Sequence, residues 1–222
     1  MRSQVLPPVK SKALVLGSGP NPIIPDDYDP ATWSLVTINA SQASVPHLTP
    51  DITLLGASTL RNKPANVEAK QALRGLRTGS LILFKGRQMP DRKRFRLLRI
   101  GYSYRQVTFL RLSERARWNQ EVMGIDPSIR PSNGVSTAAL CCWLGARTIV
   151  MTGFSLTKEG HAYNNKNRER AHVGDDRIAL RRMIDLGLPV YTTQSDFAEE
   201  SGLALWQDRP ANQRQFCDDF GD

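Results

Sequence analysis

Short apolar runs closed by glycine or polar breaks recur along this chain, and they constrain its fold more than any other feature. They read KALVLGSG, WSLVTINAS, DITLLGAS, GSLILFKG, RQVTFLRLS, ARTIVMTGF and LPVYTTQS. A strand apolar on both faces must be covered on both, which is the situation of parallel strands flanked by helices. Helix-length segments fit between several runs, over 66–77, 136–144 and 176–186, and Gly187 supplies a stop after the last. Strands alternating with helices predict an α/β fold, a doubly wound and mostly parallel Rossmann-like sheet. Ligands of such sheets sit beyond the carboxyl ends of the strands, so the residues that close each run are the ones to inspect.

The 222 residues suit one sizeable domain, or one domain with a small lid, and the expected organisation is a single unit over 1–222. A net charge of +9 points to an anionic partner: nucleic acid, phospholipid headgroups, or a phosphorylated or carboxylated glycan. Cys141 and Cys142 are adjacent in an apolar helix and Cys217 is near the tail, which makes neither a disulfide framework nor a zinc spacing. Both helical cysteines read as packing residues in a reducing compartment. No apolar run reaches the ~18 residues of a spanning helix, and the first apolar segment reads as a strand rather than a signal peptide, so the expected location is cytoplasmic. Residues 85–106, KGRQMPDRKRFRLLRIGYSYRQ, interleave Arg and Lys with Phe95, Tyr102 and Tyr104. This stretch reads as a solvated basic excursion, or as a surface for an anionic acceptor or the inner face of a membrane.

Chemistry concentrates in a few turns. In LVLGSGPNP a strand runs into Gly17, Ser18 and Gly19; missing β-carbons let a ligand approach the backbone, and amide donors suit a phosphate. It is not the dinucleotide fingerprint, because prolines interrupt the chain where the helix should start. Asn39 follows the next apolar run and offers a donor and an acceptor for a base edge or sugar hydroxyl, or simply a turn. Ser132, Asn133 and Gly134 open the helix STAALCCWLG, whose first turn can seat a phosphate or carboxylate, with Ser132 or Asn133 equally able to cap it. After ARTIVMTGF comes a polar loop, 155–175, long enough to be a lid or active-site segment, with His161 and Tyr163 in it. His172 precedes the last long helix; it could remove a proton near neutral pH, with Asp175 or Asp176 orienting it.

Taken in order, LGSGPNP, TINAS, SNGVSTAALCCWLGARTIVMTGFSLTKEGHAY and AHVGDDRIALRRMIDLGLPVY resemble the bacterial sialyltransferases of carbohydrate-active enzyme family 42. The likeness covers most of 13–45 and 131–205. It implies a GT-A-like nucleotide-binding domain and an inverting glycosyltransferase. The implied reaction moves a sialic acid or related acidic sugar from a CMP-activated donor to a glycan or glycolipid acceptor, as in bacterial lipopolysaccharide assembly, without cofactor or metal. By that likeness Gly17, Ser18, Gly19 and Asn39 fall at the donor-binding turns, and Ser132, Asn133 and Gly134 at the step that meets the nucleotide phosphate. Tyr163 matches a tyrosine that stabilises the departing phosphate, and His172 matches the general base. A second such tyrosine is Thr157 here, the family's aspartate is Ser155, and an asparagine after the third strand is Gly56. Lys158, Lys166, Arg168 and Arg170 are nearby candidates to offset phosphate charge.

Two other classes compete. A pterin diphosphokinase-like enzyme would share the glycine turn but needs magnesium, and no acidic pair at a strand end is suited to hold it. A non-catalytic nucleic-acid-binding module would use the charge and the aromatic residues of 85–106, although no recognised binding motif accompanies them. A homo-oligomer is compatible with all three.

Overall fold

A computed structural model describes residues 6–56, 64–85, 101–157 and 172–207. Its strands are β1 (Lys12–Leu16), β2 (Trp33–Ile38), β3 (Ile52–Gly56), β4 (Arg77–Lys85), β5 (Ser103–Arg111), β6 (Thr148–Thr152), β7 (Val190–Thr192) and β8 (Ala204–Leu205). Its helices are α1 (Pro64–Ala72), α2 (Leu112–Met123), α3 (Asn133–Trp143), α4 (Val173–Asp185) and α5 (Ser195–Ser201), with a 3-10 turn at Ser41–Ser44.

The strands form one sheet in the order β5-β4-β3-β2-β1-β6-β7-β8. Every neighbouring pair is parallel. Successive side chains leave a strand on opposite faces, and that alternation builds a core on each side. Ala13, Val15, Val36, Ile38, Ile52, Leu54, Ile82, Phe84, Ile149 and Met151 point to one face, where they pack with Trp118 and Met123 of α2, Val135 and Ala138 of α3, and Leu180 and Met183 of α4. Leu14, Leu16, Trp33, Leu35 and Val150 point to the other, under Trp206. Leu55, Leu81 and Leu83 share that second face with Ala69 and Leu73 at the α1 end of the chain. The doubly wound parallel sheet expected from the apolar runs is the one observed.

The chain lays down β1 to β5 in one direction and then returns to place β6 on the free side of β1. The strand order therefore reverses between β1 and β6, and the crevice at the carboxyl ends of those two strands is where ligands of open α/β sheets bind.

Three expectations are corrected. The helix expected over 66–77 ends at Ala72, because Gly75 takes φ 78° and Arg77 already starts β4. The basic stretch 85–106 is in its last part a strand: β5 begins at Ser103. Tyr102 is fully buried, and its hydroxyl donates its one hydrogen to Gln42 Oε1 at 3.1 Å with Thr53 Oγ1 as a second hydrogen-bond partner at 2.9 Å, so it has no face to offer a base. Phe95 lies outside the described residues. Finally, α3 starts at Asn133 and α4 at Val173, each three residues ahead of the expected start.

Candidate functional site

At the reversal point the backbone after β1 lies directly on the backbone after β6. Gly17 N–H donates to Thr152 O at 2.8 Å and Gly19 N–H to Gly153 O at 2.6 Å. A β-carbon on Gly19 would stand 2.7 Å from Gly153 O, and one on Gly153 only 2.6 Å from Gly17 O. Gly153 also takes φ 72°, a left-handed conformation that side chains disfavour. The glycines of this turn thus permit strand-to-strand approach. Two amides expected to cradle a phosphate, those of Gly17 and Gly19, are engaged by β6 instead. Ser18, between them, is half-buried.

Gly153 and Phe154 are fixed from the far side by Gln194, whose Oε1 accepts from Gly153 N at 2.6 Å and Phe154 N at 3.1 Å. The Phe154 ring, stacked on Phe197 with centroids 5.7 Å apart, reaches beneath the start of α3. A β-carbon on Gly134 would fall inside van der Waals contact of that ring, with Cζ at 3.0 Å. Gly17, Gly19 and Gly134, distant in the chain, therefore converge on Gly153–Phe154.

The start of α3 is built as a donor site. Ser132 caps it, its Oγ accepting from Val135 N at 3.4 Å, while Ser136 N bonds Ser132 O. The N–H groups of Asn133 and Gly134 belong to the first turn and have no intrahelical acceptor. Helix α2 holds this start in place. Arg115 Nη1 donates to Asn133 Oδ1 at 2.6 Å, Trp118 Nε1 to Ser136 O at 3.0 Å, and Asn119 Nδ2 to Ser136 Oγ at 3.1 Å. These three residues sit at helical spacing on one face of α2. Burial, and next the charge of Arg130, push the Arg115 guanidinium below its ordinary pKa, with Asp176 opposing them.

Helix α4 joins the same place. Asp176 Oδ1 accepts from Ser132 N at 2.6 Å and Asp175 Oδ2 from Arg130 N at 3.0 Å. His172 occupies the position just ahead of α4 without a capping bond from its side chain, and it is exposed. The two aspartates thus tie the α4 start to the α3 start; among the described residues, neither bonds the His172 imidazole they were expected to orient.

Asn39 takes φ 56° and its N–H donates to Leu54 O at 2.8 Å, so its backbone makes the turn after β2. Among the described residues its side-chain amide makes no hydrogen bond. Thr157 is used differently from expectation. Its hydroxyl donates to Glu200 of α5, which also accepts from Leu156 N and, at 3.1 Å and 3.2 Å, from Ser155 Oγ. Burial raises the Glu200 pKa, but the donors Thr157, Leu156 and Ser155 outweigh it and leave the carboxyl below its ordinary value. Tyr163, His161, Lys158, Lys166, Arg168 and Arg170 lie outside the described residues, with most of the 155–175 loop. Cys141 is buried and burial pushes its thiol pKa upward, while that of Cys142 is pushed up to about 11, so neither is an activated nucleophile.

A groove of about 790 Å³ lies elsewhere, among Pro50, Arg77, Gly79, Ser103 and Arg105 at the amino ends of the strands. Open α/β sheets bind at the opposite end, and we place the candidate site there. Among the described residues no helix is long and apolar enough to cross a membrane.

Fold and crevice together define a doubly wound, parallel α/β protein with a candidate site at the β1/β6 reversal. The sequence matches no protein-family model and no curated protein. Solved structures share the fold. The monofunctional α-2,3-sialyltransferase Cst-I of Campylobacter jejuni is similar with TM-score 0.53 at 11% identity, over 95% of this chain and 86% of that one. The sialyltransferase CST-II in complex with a trisaccharide acceptor and CMP gives 0.51 at 15% identity, over 90% and 88%. CstII of Campylobacter jejuni bound to the substrate analogue cytidine-5'-monophosphate gives 0.50 at 15%, over 87% and 84%.

Proposed function

We propose that this protein is an inverting glycosyltransferase that moves a sialic acid or related acidic sugar from a CMP-activated donor to a hydroxyl of a glycan or glycolipid acceptor. The observation that carries this reading is the convergence of the turn after β1, the Gly153–Phe154 step after β6 and the start of α3 at the reversal of strand order. Similar structures in complex with CMP, and with CMP and a trisaccharide acceptor, support the choice of substrates.

In the reaction proposed, the bond between the anomeric carbon and the CMP phosphate oxygen breaks, and its electron pair leaves with the phosphate. The acceptor oxygen attacks the opposite face of the sugar while His172 takes its proton, which inverts the centre. Negative charge grows on the phosphate, and fixed N–H donors lower the barrier most when they are aimed at that developing charge. Asn133 N–H and Gly134 N–H are assigned this role in the proposal, with Tyr163 as a further donor. A hydroxyl carries one hydrogen, and that of Thr157 goes to Glu200, so Thr157 stays out of the proposed mechanism. Gly17, Ser18, Gly19 and Asn39 shape the wall for the nucleoside. The enzyme as proposed turns over without metal and works at an anionic surface through the basic stretch 85–106.

The test follows CMP release from CMP-sialic acid and a glycan acceptor, with EDTA present. His172→Ala should lower turnover by a factor on the order of a hundred to ten thousand and leave CMP affinity unchanged. Turnover close to that of the unaltered protein would overturn the role of His172; no CMP binding by the unaltered protein would overturn the reading as a whole.

A further inference from the structure

Arg115 is the least expected charge at the site. It is half-buried in the first turn of α2, just beyond the carboxyl end of β5. Its guanidinium lies 5.9 Å from the ring centroid of Phe84, near the carboxyl end of β4. Such a placement has a cost, since the cation gives up part of its hydration, and α2 carries solvent-exposed positions that would have spared it. The bond it makes explains what the placement does. A guanidinium has only donors, so the Asn133 atom 2.6 Å from Arg115 Nη1 must be the side-chain carbonyl. The orientation of that amide is thereby fixed by chemistry, and its two N–H bonds are turned away from Arg115.

The consequence concerns the ligand. Asn133 contributes its backbone N–H and its side-chain N–H bonds, and Gly134 its backbone N–H, so the start of α3 offers hydrogen-bond donors, with a fixed positive charge behind them. Were the Asn133 amide reversed, it would present its oxygen, which repels an anion and welcomes a hydroxyl.

We infer that Arg115 is a specificity-determining positioning residue: by holding Asn133 through its side-chain oxygen, it makes the α3 start select a ligand group that is anionic and rich in acceptor oxygens, the phosphate of the nucleotide. This rests on the reading of the site as a CMP site. Arg115 acts through Asn133, and nothing in the role requires it to touch the substrate.

The experiment compares two ligands that differ only by that phosphate. CMP binding is measured by titration calorimetry and cytidine binding by ligand-observed NMR, for the unaltered protein, Arg115→Gln and Arg115→Lys, each checked for cooperative unfolding. A charge-assisted hydrogen bond predicts that Arg115→Gln weakens CMP by roughly 10- to 100-fold and leaves cytidine within about twofold. Arg115→Lys, which keeps the charge but loses the planar fork, should fall between the two. Equal weakening of CMP and cytidine would mean that Arg115 only supports the fold, and an unchanged preference for CMP in Arg115→Gln would mean that Asn133 is oriented by other means; either overturns the inference and leaves the CMP reading intact. An unaltered protein without preference for CMP over cytidine overturns both.

Discussion

Gly19→Ala isolates the packing on which the site depends. The new methyl would sit 2.7 Å from Gly153 O and 3.0 Å from Gly153 C, where ordinary contact begins at 3.4 Å. Relief requires about 0.7 Å of movement, the difference between 3.4 and 2.7 Å, and both partners are main chain in turns that directly follow the paired strands β1 and β6. That movement would stretch the Gly19 N to Gly153 O bond, now 2.6 Å. Losing such a bond costs about 1 kcal/mol, and forcing a methyl into packed structure costs about 1–3 kcal/mol. Reduced freedom of the unfolded chain returns about 0.4–1 kcal/mol. The net is a destabilisation of about 2 kcal/mol, which for a chain of this size lowers Tm by roughly 4–8 °C. Gly174→Ala is the matched control. Gly174 is in α4, a β-carbon there would meet nothing within 4 Å among the described residues, and its φ is ordinary. That substitution should raise stability by about 0.5–1 kcal/mol. Thermal unfolding of both variants checks the pair. Equal Tm for Gly19→Ala and the unaltered protein would refute the claimed contact between the two turns.

Two further outcomes follow from buried and half-buried acids. The Tyr102 hydroxyl has its pKa pushed from 10.0 to about 12, mainly by burial. A raised pKa stabilises the fold below pH 10 and that contribution is lost as pH rises through the folded value, so Tyr102→Phe should cost about 1 kcal/mol near neutrality and show a shallower loss of stability in alkaline denaturation. Glu200 is shifted the other way, so its contribution is present above its ordinary value and lost as pH falls through the lowered one. Glu200→Ala should speed hydrogen exchange at the Leu156 amide by roughly tenfold, as expected when a bond to a carboxylate is removed, and lowering the pH of the unaltered protein should reduce the protection of that amide, measured against its intrinsic exchange rate at each pH.

The runs of apolar residues disclosed the sheet because a fully buried parallel strand has little room for polar side chains: Ala13 to Leu16 and Ile149 to Met151 are all fully buried. The same logic placed ligands beyond Leu16 and Thr152. Helix α2 was not legible, since LSERARWNQEVM is mostly polar and its packing side is narrow, with Trp118, Asn119 and Met123 its buried residues. The spacing of Arg115, Trp118 and Asn119 was the available signal, and it gains meaning only once α3 is known to lie alongside. Strand β8 is two residues long and leaves no periodicity to read. Burial of Tyr102 could not be foreseen either, because its basic neighbours mark an exposed surface while Gln42 and Thr53, which satisfy its hydroxyl, are far away in sequence. Gly17 and Gly19 were singled out for the approach of a ligand, whereas the close approach observed there is between two backbones.

A crystal structure with CMP bound bears most directly on the account as a whole. It should place the phosphate within hydrogen-bond reach of Asn133 N and Gly134 N, with the nucleoside against the turn at Gly17–Gly19. Nucleotide found instead in the groove between Pro50, Arg77 and Arg105, with the crevice at Gly153 empty, would contradict it.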